Sequence, residues 1–273
     1  MTQALLRVSH LEKSFGGLKA VNGVSFDVPR GQITALIGPN GAGKTTLINL
    51  VTGLLPKSSG DIFLDGVDIG HLAAPDRVRA GISRSYQTPQ MIRGLTVLEN
   101  VIVGADLFST FSVTDLFWRP WRVRRDNAIA REKARAALQR TELPEAMWHL
   151  PAESLSYGEQ RRVEIARTLA QEPSLLLLDE PAAGLNPRET EGLGEFLQTL
   201  AADGLSILLV EHDMPLVMSI AQKIVVVNFG ELLAHGTPAE IQKNDQVIAA
   251  YLGVDPIETT VSESTTDHGS QHV

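Results

Sequence analysis

Cysteine is absent from the 273 residues, so neither a disulfide framework nor a cysteine-based metal site can be built, which fits a reducing compartment. Long apolar runs are missing too. None approaches the ~18 residues of a membrane span, and residues 1–10 lack the apolar core behind a charged start that marks a secretory signal. Basic residues are outnumbered, 24 Lys and Arg against 32 Asp and Glu, for a formal net charge of −8. That balance argues against nucleic acid or an anionic membrane as the main partner, although local basic patches can still matter. No internal repeat is present. These absences lead to the expectation of a soluble protein that meets a membrane only through another chain. What remains suffices for a sizeable core: 43% of the residues are hydrophobic, and a chain of this length buries roughly three quarters of its unfolded surface. One domain with a subdomain is expected.

The most informative stretch is Gly38-Pro39-Asn40-Gly41-Ala42-Gly43-Lys44-Thr45-Thr46, which follows the apolar run 33–37 and opens a helix-like segment. Strand, G-x-x-x-x-G-K-[ST] loop and helix in that order are what a phosphate loop requires. Gly41 and Gly43 let backbone N–H groups turn inward around phosphate oxygens, and the helix that follows presents its positive end to the same anions. Lys44 is expected to reach the β- and γ-phosphates, Thr45 to offer its hydroxyl to Mg²⁺, and Thr46 to add a hydroxyl near the phosphates. A nucleoside triphosphate is the expected ligand. The loop alone leaves open a kinase, a GTPase, a DNA-handling motor or a transporter ATPase.

Around this loop the chain alternates strands and helices. Residues 5–8 and 24–28 read as strands, the second in strict alternation, with Lys13-Ser14-Phe15-Gly16-Gly17 between them. An aromatic before two glycines is an ordinary hairpin turn, but just upstream of a phosphate loop Phe15 becomes a candidate for stacking on a nucleobase. Residues 60–66 read as a further strand. From about residue 78 to 153 the character changes to a helical insertion. It holds a helix at 126–140, with Ile129, Ala136, Ala137 and Leu138 available to pack, and a basic aromatic lead-in from Trp118 to Arg125 whose tryptophans are expected to be packed.

Ser156 and Glu159 form a capping box at the head of a helix running to about Ala170, with Val163, Ala166, Leu169 and Ala170 on one face. The buried-strand pattern 175–180 ends in Asp179 and Glu180, and 205–210 ends in Glu211-His212-Asp213. Between them Asn186-Pro187-Arg188-Glu189 caps another helix. Strands at 223–228 and 231–234 and two short helices, at 237–240 and 245–252, follow. This alternation predicts an α/β sheet with ligands at the strand C-termini.

Four residues after the loop carry candidate chemistry. Asp179 at a strand end can hold Mg²⁺ directly or through water. Its neighbour Glu180 can polarise an attacking water. His212 at the end of the adjacent strand is placed for the γ-phosphate and that water, and Gln87 can contact Mg²⁺ or water at the entrance to the insertion.

In this order the motifs resemble those of ABC-type ATPases, over nearly the whole chain through Gly253. The resemblance makes Phe15 the adenine-stacking aromatic, 38–45 the Walker A loop with Asn40, Gly41, Ala42, Gly43, Lys44, Thr45 and Thr46 around ATP, Gln87 the Q-loop, 155–159 the signature, 175–180 Walker B and His212 the switch histidine. It implies a P-loop NTPase with a RecA-like core sheet, an N-terminal antiparallel β subdomain and a helical insertion. The expected boundaries are 1–253 for a single domain, with core at about 1–86 and 171–253, helical subdomain at about 87–170, and a disordered tail at 254–273. Two departures stand out: Leu155-Ser156-Tyr157-Gly158-Glu159 replaces the broad family's Leu-Ser-Gly-Gly-Gln, and Asn186 replaces the usual D-loop aspartate.

More narrowly, Phe15-Gly16-Gly17-Leu18, the run 155–162, Pro181-Ala182-Ala183-Gly184-Leu185-Asn186-Pro187 and Glu211-His212-Asp213-Met214 resemble the ATP-binding subunits of bacterial branched-chain amino-acid importers. That resemblance implies two ATPases in a head-to-tail dimer, with Ser156 and Gly158 of one facing the ATP of the other. It also implies two membrane permeases, an extracytoplasmic solute-binding protein, and a place on the cytoplasmic face of the membrane. Importers for urea or other amides and the lipopolysaccharide export ATPase share much of the pattern, and soluble ABC ATPases remain an alternative. The segment 87–103 is expected to form the groove for a permease helix, offering Leu95, Val97, Leu98 and Val101, unless those side chains pack inside the insertion itself.

Overall fold

In the computed structural model, which describes residues 4–85, 89–105 and 120–252, the strands assemble into two sheets. β1 (Ala4–Phe15), β2 (Leu18–Pro29), β4 (Ser59–Leu64) and β5 (Val67–Asp68) make an antiparallel sheet in the order β2-β1-β4-β5. β3 (Ile33–Ile37), β6 (Ile82–Arg84), β7 (Leu175–Asp179), β8 (Ser206–Val210), β9 (Lys223–Asn228) and β10 (Glu231–Gly236) make the second, in the order β10-β9-β3-β8-β7-β6. All its neighbours run parallel except β10, which is antiparallel to β9.

The central strands are apolar throughout because both faces are covered, and their side chains divide between the layers with period two. Leu176, Leu178, Ile207 and Leu209 face one core cluster, and Leu175, Leu177, Leu208 and Val210 face another. The second cluster is shared with the antiparallel sheet and with α1 (Lys44–Val51), through Leu47, Ile48, Leu50 and Val51.

α2 (Ala74–Arg79) leads into β6. The first cluster is filled by α3 (Val97–Ala105), α4 (Pro120–Arg140), α5 (Tyr157–Leu169) and α6 (Pro187–Ala202). Val163, Ala166, Leu169 and Ala170 are all buried there, as the signature-helix pattern requires. A third cluster joins Ala35 and Ile37 to α7 (Met214–Ile220), α8 (Pro238–Ile241) and α9 (Asp245–Leu252). No helix among the described residues is long and apolar enough to cross a membrane.

The structure corrects several expectations. β6 belongs to the edge of the core sheet, so the segment from residue 78 does not open the insertion directly. Helix α4 already covers the six positions ahead of the expected start at 126, in keeping with arginine being a good helix former. Its buried stripe is Ala130, Ala134, Ala137 and Leu138, while Ile129 and Ala136 face outward. Trp121 is 65% exposed rather than packed, and Trp118 lies outside the described residues. Val97, Leu98 and Val101 are buried against α4 and α5, so they fill the insertion's own core and are not offered to a partner helix. The residues at 253–273, including the expected disordered tail, also lie outside the described part.

Local capping signals translate into structure. The Asn186 side chain accepts from the Glu189 N–H at 3.0 Å while Glu189 accepts from the Asn186 N–H at 2.9 Å, so α6 begins in a reciprocal cap. Replacing Asn186 with Ala is expected to cost about 1 kcal/mol, and Asn186→Asp, which keeps the acceptor, should cost much less. Urea unfolding of the two variants checks this, and equal midpoints would refute it.

Candidate functional site

The loop 38–46 leaves the C-terminal end of β3, which lies between β8 and β9 at the middle of the sheet. Gly43 is the N-cap of α1 with φ 96°, and no side chain caps that helix start, which leaves backbone N–H groups facing outward for an anion. The loop is braced from both sheets. The Gly230 N–H, in the β9–β10 turn, donates to the Ala42 carbonyl at 3.0 Å, and the Asn22 N–H of β2 donates to the Gly230 carbonyl at 2.7 Å. Lys44 Nζ donates to the carbonyls of Gly38 at 2.6 Å and Pro39 at 3.0 Å. Burial pushes this ammonium below its ordinary range, and the nearby Glu180 and Asp179 carboxylates push it back up. Asn40, Gly41 and Thr45 are exposed, Thr46 is half-buried, and Phe15 is 49% exposed at the end of β1.

Asp179 ends β7, opposite Val210 of β8. The next residue, Glu180, donates its N–H to the Val210 carbonyl at 2.9 Å and holds a left-handed backbone, φ 47°, rare for a residue with a Cβ. His212 Nδ1 lies 3.8 Å from Glu180 Oε1 and 3.9 Å from Glu211 Oε2. The three groups share one strand-end ledge but not one environment: the His212 side chain is 66% exposed and that of Glu211 is 1% exposed.

Glu211 was not singled out by the sequence. Its Oε1 accepts from the Ala182 N–H at 2.8 Å and its Oε2 from the His212 N–H at 3.1 Å, which ties the loop after β7 to the loop after β8. Burial raises the Glu211 pKa, and the backbone donors of Ala182, Asp213 and His212 offset part of that. A second unanticipated group is Arg84 at the end of β6. Its Nη2 meets Asp179 Oδ2 at 2.7 Å and its Nη1 meets Asn49 Oδ1 of α1 at 2.6 Å. A third is Tyr251 of α9, whose phenol is pushed up to about 12 by burial, opposed by a backbone hydrogen bond from Gly38.

The signature segment forms its own unit. Ser156 caps α5 in a box with Glu159, whose carboxylate accepts from the Ser156 N–H at 2.8 Å. A Cβ on Gly158 would lie 3.1 Å from a Glu189 carboxylate oxygen, and one on Gly184 would lie 3.2 Å from the Tyr157 ring. Ser156 and Gly158 therefore have their near neighbours on α5 and α6, beside a cleft of about 320 Å³, rather than on the phosphate loop. Gln87 lies outside the described residues.

Thr45 and Asp179 offer oxygen donors alone, the set suited to a hard, hydrated cation such as Mg²⁺. Among the described residues no group of three or more His, Cys, Asp or Glu forms a ready metal cage. A cation held by one carboxylate, one hydroxyl, water and substrate phosphates fits this donor set, because Mg²⁺ keeps most of its waters.

Comparison with known proteins agrees with the fold and the loop. Residues 21–183 match the ABC transporter family, and residues 231–256 match a family described as branched-chain amino acid ATP-binding cassette transporter. The chain is 44% identical over 255 residues to the high-affinity branched-chain amino acid transport ATP-binding protein BraF of Pseudomonas aeruginosa, covering 93% of this chain and 99% of that protein. It is also 44% identical over 260 residues to the corresponding LivG protein of Escherichia coli K12, with the same coverage. A crystal structure of the ADP conformation of an ATP-binding cassette of an ABC transporter superposes with TM-score 0.81 at 32% identity, covering 92% of this chain and all of that one.

Proposed function

The chain belongs to the ABC transporter ATP-binding family, and from that premise we propose that it is the ATP-hydrolysing subunit of an importer for branched-chain amino acids. The match at 231–256 carries the substrate class, since that C-terminal stretch lies beyond the general cassette match ending at 183. Whole-length identity to two high-affinity branched-chain transport ATPases supports it.

In this proposal ATP lies along the loop 38–46, with its adenine on Phe15 and its β- and γ-phosphates on Lys44 and the open N–H groups of α1. Thr45, Asp179 and Gln87 hold Mg²⁺, which when bound neutralises charge on the phosphate oxygens. Glu180 accepts a proton from the attacking water, and His212 holds that water and the γ-phosphate in line. Ser156 and Gly158 of the partner subunit close the site, so the active form is a dimer with the same chain or a sister ATPase. Two permeases bind this pair at the cytoplasmic face of the membrane, and a solute-binding protein delivers substrate. The core spans about 1–86 and 171–253, and the helical subdomain about 87–170.

Reconstitution tests the substrate class. The chain, its sister ATPase, the permeases and the binding protein are placed in liposomes, and ATP hydrolysis is measured with leucine, isoleucine, valine or urea. Stimulation by the branched-chain amino acids is expected. Stimulation by urea alone, or hydrolysis indifferent to all four, would reject the proposal.

A further inference from the structure

We infer that Arg84 is a positioning residue for the Walker B carboxylate, fixing Asp179 for Mg²⁺ by bridging it to the phosphate-loop helix. The inference rests on the ATPase assignment but assigns a role to a residue outside the motifs that identify the family.

The geometry has three parts. First, Arg84 holds Asp179 through one oxygen, Oδ2, at 2.7 Å. Engaging one carboxylate oxygen fixes the side-chain torsion that decides where the other points. Second, the same guanidinium reaches Asn49 Oδ1 at 2.6 Å, so one rigid fork joins α1, which begins at Lys44, to β6 and β7. Third, both side chains are nearly enclosed, with 10% of Arg84 and 14% of Asp179 exposed.

An arginine beside a metal-binding carboxylate could instead be a placeholder that occupies the cation's position and swings out when the cation arrives. The second anchor at Asn49 and the enclosure oppose that, because leaving would strip the guanidinium of two charge-assisted or polar partners at once. A fixed partner that orients a metal ligand typically governs metal affinity by about 10- to 100-fold. The two roles predict opposite signs: removing a positioning residue weakens Mg²⁺ binding, whereas removing a placeholder tightens it.

The test uses the purified full-length chain and a fluorescent ATP analogue, titrated in EDTA and against rising Mg²⁺. For Arg84→Met, affinity in EDTA is expected to stay within about twofold, while the Mg²⁺ concentration giving half the metal-dependent signal rises by about tenfold or more. Arg84→Lys keeps the charge but cannot span both partners, and should fall between. In an Asp179→Asn background, Arg84→Met should add no further change in the Mg²⁺ midpoint. Circular dichroism melting identifies a variant that fails to fold, in which case the Arg84→Lys comparison with wild type decides. An unchanged midpoint, a lower midpoint, equal weakening with and without Mg²⁺, or a full additional effect in the Asp179→Asn background would each overturn the inference. A wild-type chain whose nucleotide affinity ignores Mg²⁺ would instead overturn the metal assignment itself, and it would do so before any substitution is made.

Discussion

Replacing Glu180 with glutamine is expected to leave ATP binding near the wild-type level while hydrolysis falls by about 10² or more. The substitution changes an oxygen for a nitrogen and little else, so the left-handed turn at φ 47° and the Val210 hydrogen bond should survive. On the proposed assignment, what disappears is the ability to take a proton from water beside His212, whose Nδ1 is 3.8 Å away. Lys44→Ala should behave differently and lose binding and hydrolysis together, because the ammonium serves ground state and transition state alike. His212→Ala should resemble Glu180→Gln. Single-turnover hydrolysis and equilibrium nucleotide binding in the assembled complex separate these patterns. Wild-type hydrolysis by Glu180→Gln would show that another group acts as the base.

The other large effect is expected from a single methyl group in the phosphate loop. Gly43 has φ 96°, and a Cβ there would lie 2.5 Å from the Ala20 carbonyl oxygen, a backbone atom that cannot turn aside. Gly43→Ala therefore combines left-handed strain of about 1–2 kcal/mol with overpacking of about 1–3 kcal/mol. It should lower stability by about 2–5 kcal/mol on those two costs and abolish nucleotide binding by displacing the start of α1. Gly41 is the internal control. It has φ 81° in the same loop, but nothing lies within 4 Å of a Cβ placed on it. Gly41→Ala should pay only the strain, about 1–2 kcal/mol. Thermal unfolding and nucleotide affinity of the two variants check the difference, and equal behaviour would mean that contact with β2 does not shape the loop.

The parts of this fold legible in the sequence are those whose cause is local. Ser156 with Glu159, Asn186 with Glu189 and Thr237 with Glu240 announce helix starts within four positions, and each is formed. The apolar strands β3, β7 and β8 announce themselves by having no polar face. β6 could not be read, because Ile82-Ser83-Arg84 becomes a strand only through pairing with Leu175, Leu176 and Leu177 far along the chain. The phase of α4 was hidden for a similar reason: which alanines are buried depends on where α3 and α5 lie, so Ile129 could be outward despite its apolar side chain.

The candidate site divides along the same line. The phosphate loop, Asp179, Glu180 and His212 stand at ends of strands that the pattern reveals. Arg84 has no such marker, and Glu211, although it follows directly on β8, has nothing in the pattern to set it apart from its neighbours. A charged residue looks exposed in a sequence until its enclosing partners are known, here the Ala182 N–H for one and Asn49 with Asp179 for the other.

The place of β3 between β8 and β9 has a consequence for how the molecule is made. Ile33 pairs with Ile207 and Thr34 with Lys223, so a ribosome delivers the phosphate-loop strand long before either neighbour exists. At ~5–20 residues per second the wait is on the order of ten seconds. The antiparallel sheet, whose strands all lie before residue 69, can close meanwhile and cover one face of β3. Its two hydrogen-bonding edges stay open, a hazard for pairing with another nascent chain. A polypeptide released before Ser206 would carry Gly38, Lys44, Asp179 and Glu180 without the β8 and β9 strands that hold the loop in register, and would present a sticky fragment to the cell's chaperones and proteases in place of an ATPase.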